Sequence, residues 1–415
     1  MTFGNGERRG GYVAPQGGYV APQGGDRESD GQRSPRWMRL IYFGCALVAF
    51  LLFGPWWCAR DADAWFRGDV EQQSKLAADL IAFEAEDDLA RTEADSTHEK
   101  HFDGRWGLLT HEMTAIGLAQ VAFTHPELKD SYAPVITRAS LKSFLPEMRD
   151  FGTKEWRGED ALKSLDGAHG HAYLARAALA IGLARWLDPH FPSDVAKQHD
   201  ALIQAYERRL LASPMGLIET YPGEAYPADV AAVAAAIAIH GRATGAHHER
   251  VLAHWADKVR TKQRDAESGF MIQRMDAHDG TVQDVARGSG TASAAYFAGF
   301  ADRGLAKLLA DGLLRHASGL GEFGLMQEYE DGRSAFGDIA SAGPVLFGIS
   351  IAATGSALAP ARALGRREEF TRIYRTTVLL GAPHTSGERT RFLAGGPIGN
   401  SLLLALLTSN PEISP

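Results

Sequence analysis

The chain has 415 residues, a formal net charge of −8 and no basic run that would track a phosphate backbone, so nucleic acid is excluded as an expected partner. Its two cysteines, Cys45 and Cys58, both fall in one apolar segment near the N-terminus. Residues 60–415 therefore hold no disulfide, no thiolate nucleophile and no cysteine-ligated metal, and nothing in them calls for a cofactor.

The first 36 residues carry Gly-Tyr-Val-Ala-Pro-Gln twice, at 11–16 and 18–23. Rich in Gly, Gln, Pro and charge, they cannot repay the entropy of ordering and read as a disordered tail. Leu40 to Cys58 is free of charge for 19 residues, long enough to cross a hydrocarbon core as a helix. Trp37, Tyr42, Trp56 and Trp57 sit towards its ends, where amphipathic rings prefer the interface. Arg33, Arg36 and Arg39 precede it, whereas Arg60 and Arg67 follow among aspartates, which puts the N-terminus in the cytoplasm and the rest outside. A cleaved signal with Ala62-Asp63-Ala64 as its site is the alternative, and the long charged tail argues against it. The expected organisation is a tail (1–36), a transmembrane helix (37–59) and a helical domain (60–415).

Within that domain one pattern recurs six times: a charged helix, a loop, then a helix of small apolar residues. The second helices begin near Gly107, His171, Ala228, Gly290, Ala342 and Pro397, a spacing of 52 to 64 residues. The first helices are expected at about 70–95, 127–149, 193–212, 246–266, 303–317 and 361–380. Ala228 to His240 is almost wholly Ala, Val and Ile, so it is buried nearly all round. Such a recurrence predicts an all-α, six-hairpin ring, an (α/α)6 toroid. Gly269 to Met275 and Gly319 to Tyr329 have the composition of short extended pieces.

Connections from first to second helix run on the order of 12 to 25 residues, and the reverse ones are short. All the long loops thus fall at one end of the ring, where function is expected. The first carries His98, Glu99, His101, Asp103, Arg105 and Trp106, and the second Trp156, Glu159, Asp160, Asp166, His169 and His171. His98-x-x-His101 and His169-x-His171 have metal-like spacing, but without a cysteine or a matching carboxylate pattern no metal site is expected. The third reads Glu219-Thr-Tyr221-Pro-Gly-Glu224-Ala-Tyr226-Pro-Ala-Asp229. Asp229 opens an apolar helix, where a carboxylate either caps free amides or does chemistry. Glu224 has no capping duty, and between two tyrosines it suits a general acid. The fourth ends in Arg287-Gly-Ser-Gly290-Thr291, glycines and hydroxyls that suit an anion at a helix start. The fifth carries Glu328 and puts Asp338 on a stiff bend between Gly337 and Gly343.

This arrangement resembles the six-hairpin (α/α)6 toroid proteins over about residues 70–410, many of which are glycoside hydrolases or polysaccharide lyases with sites in the long-loop mouth. No diagnostic signature carries their catalytic residues over. Tyr221-Pro-Gly-Glu224 to Asp229 is also distantly similar to linalool dehydratase–isomerase-like toroids, with the cysteines missing. The resemblance implies a carbohydrate or small-molecule substrate. The expected catalytic residues are Glu224 as acid and Asp338 as base, with Asp229 in reserve. Tyr221, Tyr226 and Trp106 are expected to stack on sugars, Arg287 to orient them, and His169 and Glu328 to add contacts. A non-catalytic glycan-binding toroid and a cysteine-free lyase or dehydratase are the alternatives.

Overall fold

The computed structural model describes residues 36–86, 105–167, 169–330 and 345–410. The chain falls into two units, Met1–Ala49 and Phe50–Pro415. Helix α1 (Arg36–Ala59) contains the charge-free run. Among the described residues no helix is long and apolar enough to cross a membrane. The expected anchor lies partly outside them, because the side chains of 46–47 and 49–52, at its centre, are not described. The tail at 1–35 is likewise outside.

The second unit is the ring. Its inner helices are α4 (Arg105–Thr124), α7 (Ala175–Leu187), α9 (Pro227–Thr244), α11 (Gly288–Ala301), the broken pair α13 (Ile351–Ser356) and α14 (Leu358–Ala363), and α16 (Gly396–Leu407). Each packs on the next, and α16 returns to α4, so the circle closes. Outside them lie α3 (Val70–Ala85), α5 (Lys129–Ser143), α8 (Ser193–Ala212), α10 (Glu249–Lys262), α12 (Arg303–Leu314) and α15 (Arg367–Gly381). The composition explains the division. From Val230 to Ile237 every residue of α9 is fully buried, as an inner helix requires. In α10 only Val251, Trp255, Ala256 and Val259 are buried, one stripe at helical spacing.

Small residues set the ring's diameter. Gly117 of α4 lies under α16 so closely that a Cβ there would stand 2.9 Å from the Ala405 nitrogen. Gln120, one turn on, donates to the Ala405 carbonyl at 2.7 Å and to Thr408 at 3.1 Å, and accepts from Tyr296 of α11 at 3.3 Å. A single buried amide thus joins three inner helices, two of them on opposite sides of the ring. Helix α2 (Ala62–Arg67) brings the chain in along the outside, with Phe66 against Phe370 at 5.4 Å and the Trp65 carbonyl accepting from Arg362.

All inner-to-outer connections among the described residues are short, as at 125–128, 188–192 and 245–248. The long ones share the opposite end, with the N-termini of the inner helices, and form the mouth. They include helix α6 (Pro146–Glu155). They also hold more strand than expected. β1 (Glu224–Ala225), β2 (Met271–Asp276) and β3 (Val282–Arg287) make an antiparallel sheet joining the third and fourth loops. β4 (Ala317–Leu320), β5 (Phe323–Gln327), β6 (Val345–Leu346) and β7 (Ile349–Ser350) pair in the order 4-5-7-6, and β8 (Pro383–Ser386) with β9 (Arg389–Phe392) is a hairpin.

Four inner helices start within two residues of their expected positions, and the second follows a 3-10 turn at Ala172–Leu174. The fifth does not. Ala342 lies outside the described residues, and the inner helix begins at Ile351, so residues 361–363 belong to α14 and not to the outer helix. The first outer helix also stops early, at Ala85, where Glu86 turns extended. Replacing Gly117 by alanine should cost about 1–3 kcal/mol in urea unfolding through overpacking, whereas Gly355→Ala, with open space at its Cβ, should be neutral or stabilising.

Candidate active site at the mouth of the ring

The first turns of three inner helices bring unlike charges together. Arg105 opens α4, Arg176 is the second residue of α7, and Asp229 is the third of α9. The Arg176 guanidinium donates to Asp229 Oδ1 at 2.8 Å, with Arg105 at 3.7 Å from the same oxygen, and Thr220 donates to Oδ2 at 3.2 Å. The Asp229 side chain is only 4% exposed. Asp229 is not a cap, since α9 starts after Tyr226 without a side-chain cap hydrogen bond. Instead both its oxygens are committed to the cluster. Arg176 also lies over the Phe297 ring at 5.3 Å, so its charge is held between a carboxylate and an aromatic face.

Glu112, two turns into α4, completes the group. It is buried, and one carboxylate oxygen, Oε1, has no hydrogen-bond partner. Burial pushes its carboxyl up to about 7, and neighbouring Asp229 adds to the rise. Arg176, Arg105 and the Ala177 backbone amide pull the other way without cancelling it. One carboxylate of the cluster is thus ion-paired and the other keeps its proton near neutrality.

Thr220 is placed by two interlocked loops. A Cβ at Gly170 would stand 2.2 Å from the Glu219 carbonyl oxygen, so only glycine lets the second and third loops pass. Ala172 N–H donates to that carbonyl at 3.0 Å, and the Trp156 indole N–H to the Thr220 carbonyl at 3.3 Å. Tyr221 is buried beside the cluster, edge-on to Tyr226 at 6.1 Å.

The other expected site residues are distributed along the rim. Glu224 is part-exposed on β1, where Arg274 donates to Oε1 at 3.2 Å and the Tyr226 hydroxyl to Oε2 at 3.1 Å. Burial raises the Tyr226 phenol, and the Glu224 charge raises it further. Trp106 is half-buried at the start of α4. His169 pairs with Glu159 at 2.6 Å and lies against Trp156 at 4.6 Å. Arg287 pairs with Asp284 at 2.6 Å and lies over Tyr329. The start of α11 does hold an anion, and that anion is the chain's own: Ser289 donates from Oγ at 2.6 Å and from its amide at 3.2 Å to the buried Glu328 carboxylate. Glu328 thereby caps an inner helix from the fifth loop. Asp338, His98 and His101 lie outside the described residues. Among the described residues no group of three or more His, Cys, Asp or Glu is placed to hold a metal.

Glu112 and Arg176 were not expected as site residues, and Arg105 was noted only as a loop charge. A signal was present: Glu112 and Arg176 are charges set among apolar neighbours in helices that are buried nearly all round, and such charges are rarely buried unless paired. A carboxyl raised in the fold favours the folded state most where the unfolded chain also keeps it protonated. Its contribution is therefore full below pH 4.5 and is lost as pH rises to about 7. Relative to the unsubstituted chain, Glu112→Gln should gain on the order of 3 kcal/mol in urea unfolding between those pH values.

No family model matches this chain, and no curated protein matches it in sequence. Among solved structures it is similar to an α-1,6-mannanase of Salegentibacter sp. HEL1_6, in an inactive variant bound to α-1,6-mannotriose, at 12% identity and a TM-score of 0.47 over 81% of this chain and 99% of that one. It is also similar to an unsaturated glucuronyl hydrolase of Bacillus sp. GL1, at 14% identity and a TM-score of 0.47 over 81% and 96%. The ring itself is read from the helix packing of this chain, whose fold is an (α/α)6 toroid.

Proposed function

We propose that this chain is a membrane-anchored hydrolase of a carbohydrate or cell-envelope glycan, with its chemistry at the mouth of the ring. The observation that carries this reading is Glu112: a buried carboxyl held near 7, with an oxygen free of partners, in electrostatic reach of a second carboxylate fixed by two arginines. Glycoside hydrolysis asks for such a pair, one acid that keeps its proton and one carboxylate that does not. Glu112 is assigned as the general acid, giving its proton to the leaving glycosidic oxygen. Asp229 is assigned as the ion-paired partner that meets the developing positive charge or the attacking water. Arg105, Arg176 and Thr220 hold Asp229 in place.

The rim residues then serve binding. Tyr226 and Trp106 offer ring faces, Tyr221 backs the cluster, and Glu224, gripped by Arg274 and Tyr226, is better suited to accept sugar hydroxyls than to donate a proton. His169 extends the same rim, while Arg287 and Glu328 hold its shape. Asp338 stays a candidate base. A lyase or dehydratase acting on a small apolar alcohol would want an apolar cavity, which a cluster of two arginines and two carboxyl groups does not offer.

Anchoring and topology belong to the same proposal. The charge-free run from Leu40 to Cys58 and the arginines before it support one membrane helix, a cytoplasmic N-terminus and an extracytoplasmic ring.

The test is release of reducing sugar from envelope glycans by the full chain in detergent. Glu112→Gln and Asp229→Asn should each lower kcat by about 10²–10⁴-fold, and the rate should fall as pH rises through about 7, where Glu112 loses its proton. Full activity in both variants overturns the assignment.

A further inference from the structure

Past residue 60, thirteen large apolar side chains are exposed among the described residues, and they are not scattered. Ten lie at the mouth end, on long loops or on the helix ends that meet them. The turn between β6 and β7 presents Leu346 at 47% and Phe347 at 83% exposure. The last turn of α15 presents Leu379 and Leu380, the loop before α16 presents Leu393 at 58%, and β3 adds Val282 at 53%. The short-loop end has only Val70 and Trp186, and Leu320 lies on the flank beside Arg372. A soluble surface scatters such side chains singly, whereas their gathering at one end marks an interaction surface.

The course of the chain supplies the second observation. Asp63 pairs with Arg367 at the start of α15, and Cys58 is in electrostatic reach of Arg375, about two turns farther along that helix. Followed backwards from Asp63, the chain therefore climbs α15 towards its C-terminus, which is the mouth end. There Phe53, Trp56 and Trp57 are exposed at 66%, 69% and 57%, the residue types that settle at a bilayer interface.

We infer that the mouth end of the ring is a lipid-docking face, on which Leu346, Phe347, Leu380 and Leu393 enter the headgroup region of the bilayer. The ring then sits with its charged cluster towards the membrane and its short loops away from it. This assignment goes beyond the hydrolase reading: it rests on the proposed anchoring and not on the assigned chemistry.

The experiment uses the full chain with Cys45→Ser and Cys58→Ala, mixed with phosphatidylcholine–phosphatidylglycerol vesicles that carry doxyl-labelled acyl chains. Single cysteines at Leu346, Leu380 and Leu393 at the mouth, and at Val70 and Trp186 at the other end, are labelled with an environment-sensitive fluorophore. All five positions are exposed, and the contact of Trp186 with Phe123 at 4.6 Å is the one ring packing among them that substitution removes. The expected result is doxyl quenching at the three mouth positions, none at Val70 or Trp186, and loss of quenching at Leu346 when Leu380→Glu and Leu393→Glu are combined. Equal quenching at both ends overturns the proposal. So does a chain that stays off the vesicles, or one that binds them with its mouth probes unquenched, as when a protein partner covers that face. Hydrolysis in detergent is read separately, so failure of either assignment is told from failure of the other.

Discussion

Closure of the ring between the first inner helix and the last is the constraint on which the remaining structure depends. Six helices can surround a common axis this tightly only where side chains are small, and the contact of Gly117 with the Ala405 backbone marks the limit. Gln120 then converts closeness into specificity. An amide buried among apolar helices is costly unless its bonds are made, and here they are made only when α4, α11 and α16 all stand in register. Packing sets the ring's size, and one polar group fixes its phase.

That closure makes the two ends of the ring unlike. At the short-loop end the connections are too brief to do more than turn the chain. At the other end every inner helix begins, so backbone amides point outward and six long loops must find partners. The start of α11 meets that demand with Glu328, and the start of α7 with Glu112 and its tie to Ala177. The arginines of α4 and α7 sit where a helix start would ordinarily favour negative charge, and Asp229 offsets them. The charged cluster is thus a local conflict between helix polarity and side-chain charge, held in place by a rigid frame. Such unresolved charge in a stiff setting is what an active site needs.

How far the sequence could be read follows from the range of each interaction. The alternation of mixed and small-residue helices is local, so Gly107, Ala228, Gly290 and Pro397 each fall within two residues of an inner helix start. The loops were legible as loops, and so were the extended pieces at Gly269 to Met275 and Gly319 to Tyr329, where β2, β4 and β5 form; the other strands were not. β1 is two residues long and owes its existence to β2, some fifty positions later. The fifth inner helix is expected near Ala342 and begins only at Ile351, because the hairpin of β6 and β7 intervenes. In the site, Asp229 and Tyr221 stood out by position, yet Glu112 and Arg176 gain their meaning only from each other. They come from different hairpins, and their juxtaposition depends on the angle at which two inner helices meet.

Gln120 and Ala405 are 285 residues apart in the chain. The first inner helix is therefore made long before its closing partner exists, and until then it presents an open groove lined with glycine and alanine. A nascent chain of this kind has to shelter that groove through the synthesis of five hairpins, with the slow maturation expected of distant contacts. Shortening from the C-terminus would not trim the protein gradually: loss of α16 alone would leave a five-membered arc with two unsealed flanks. The last inner helix is in this sense the keystone, and the integrity of the ring is checked where its first and last inner helices meet.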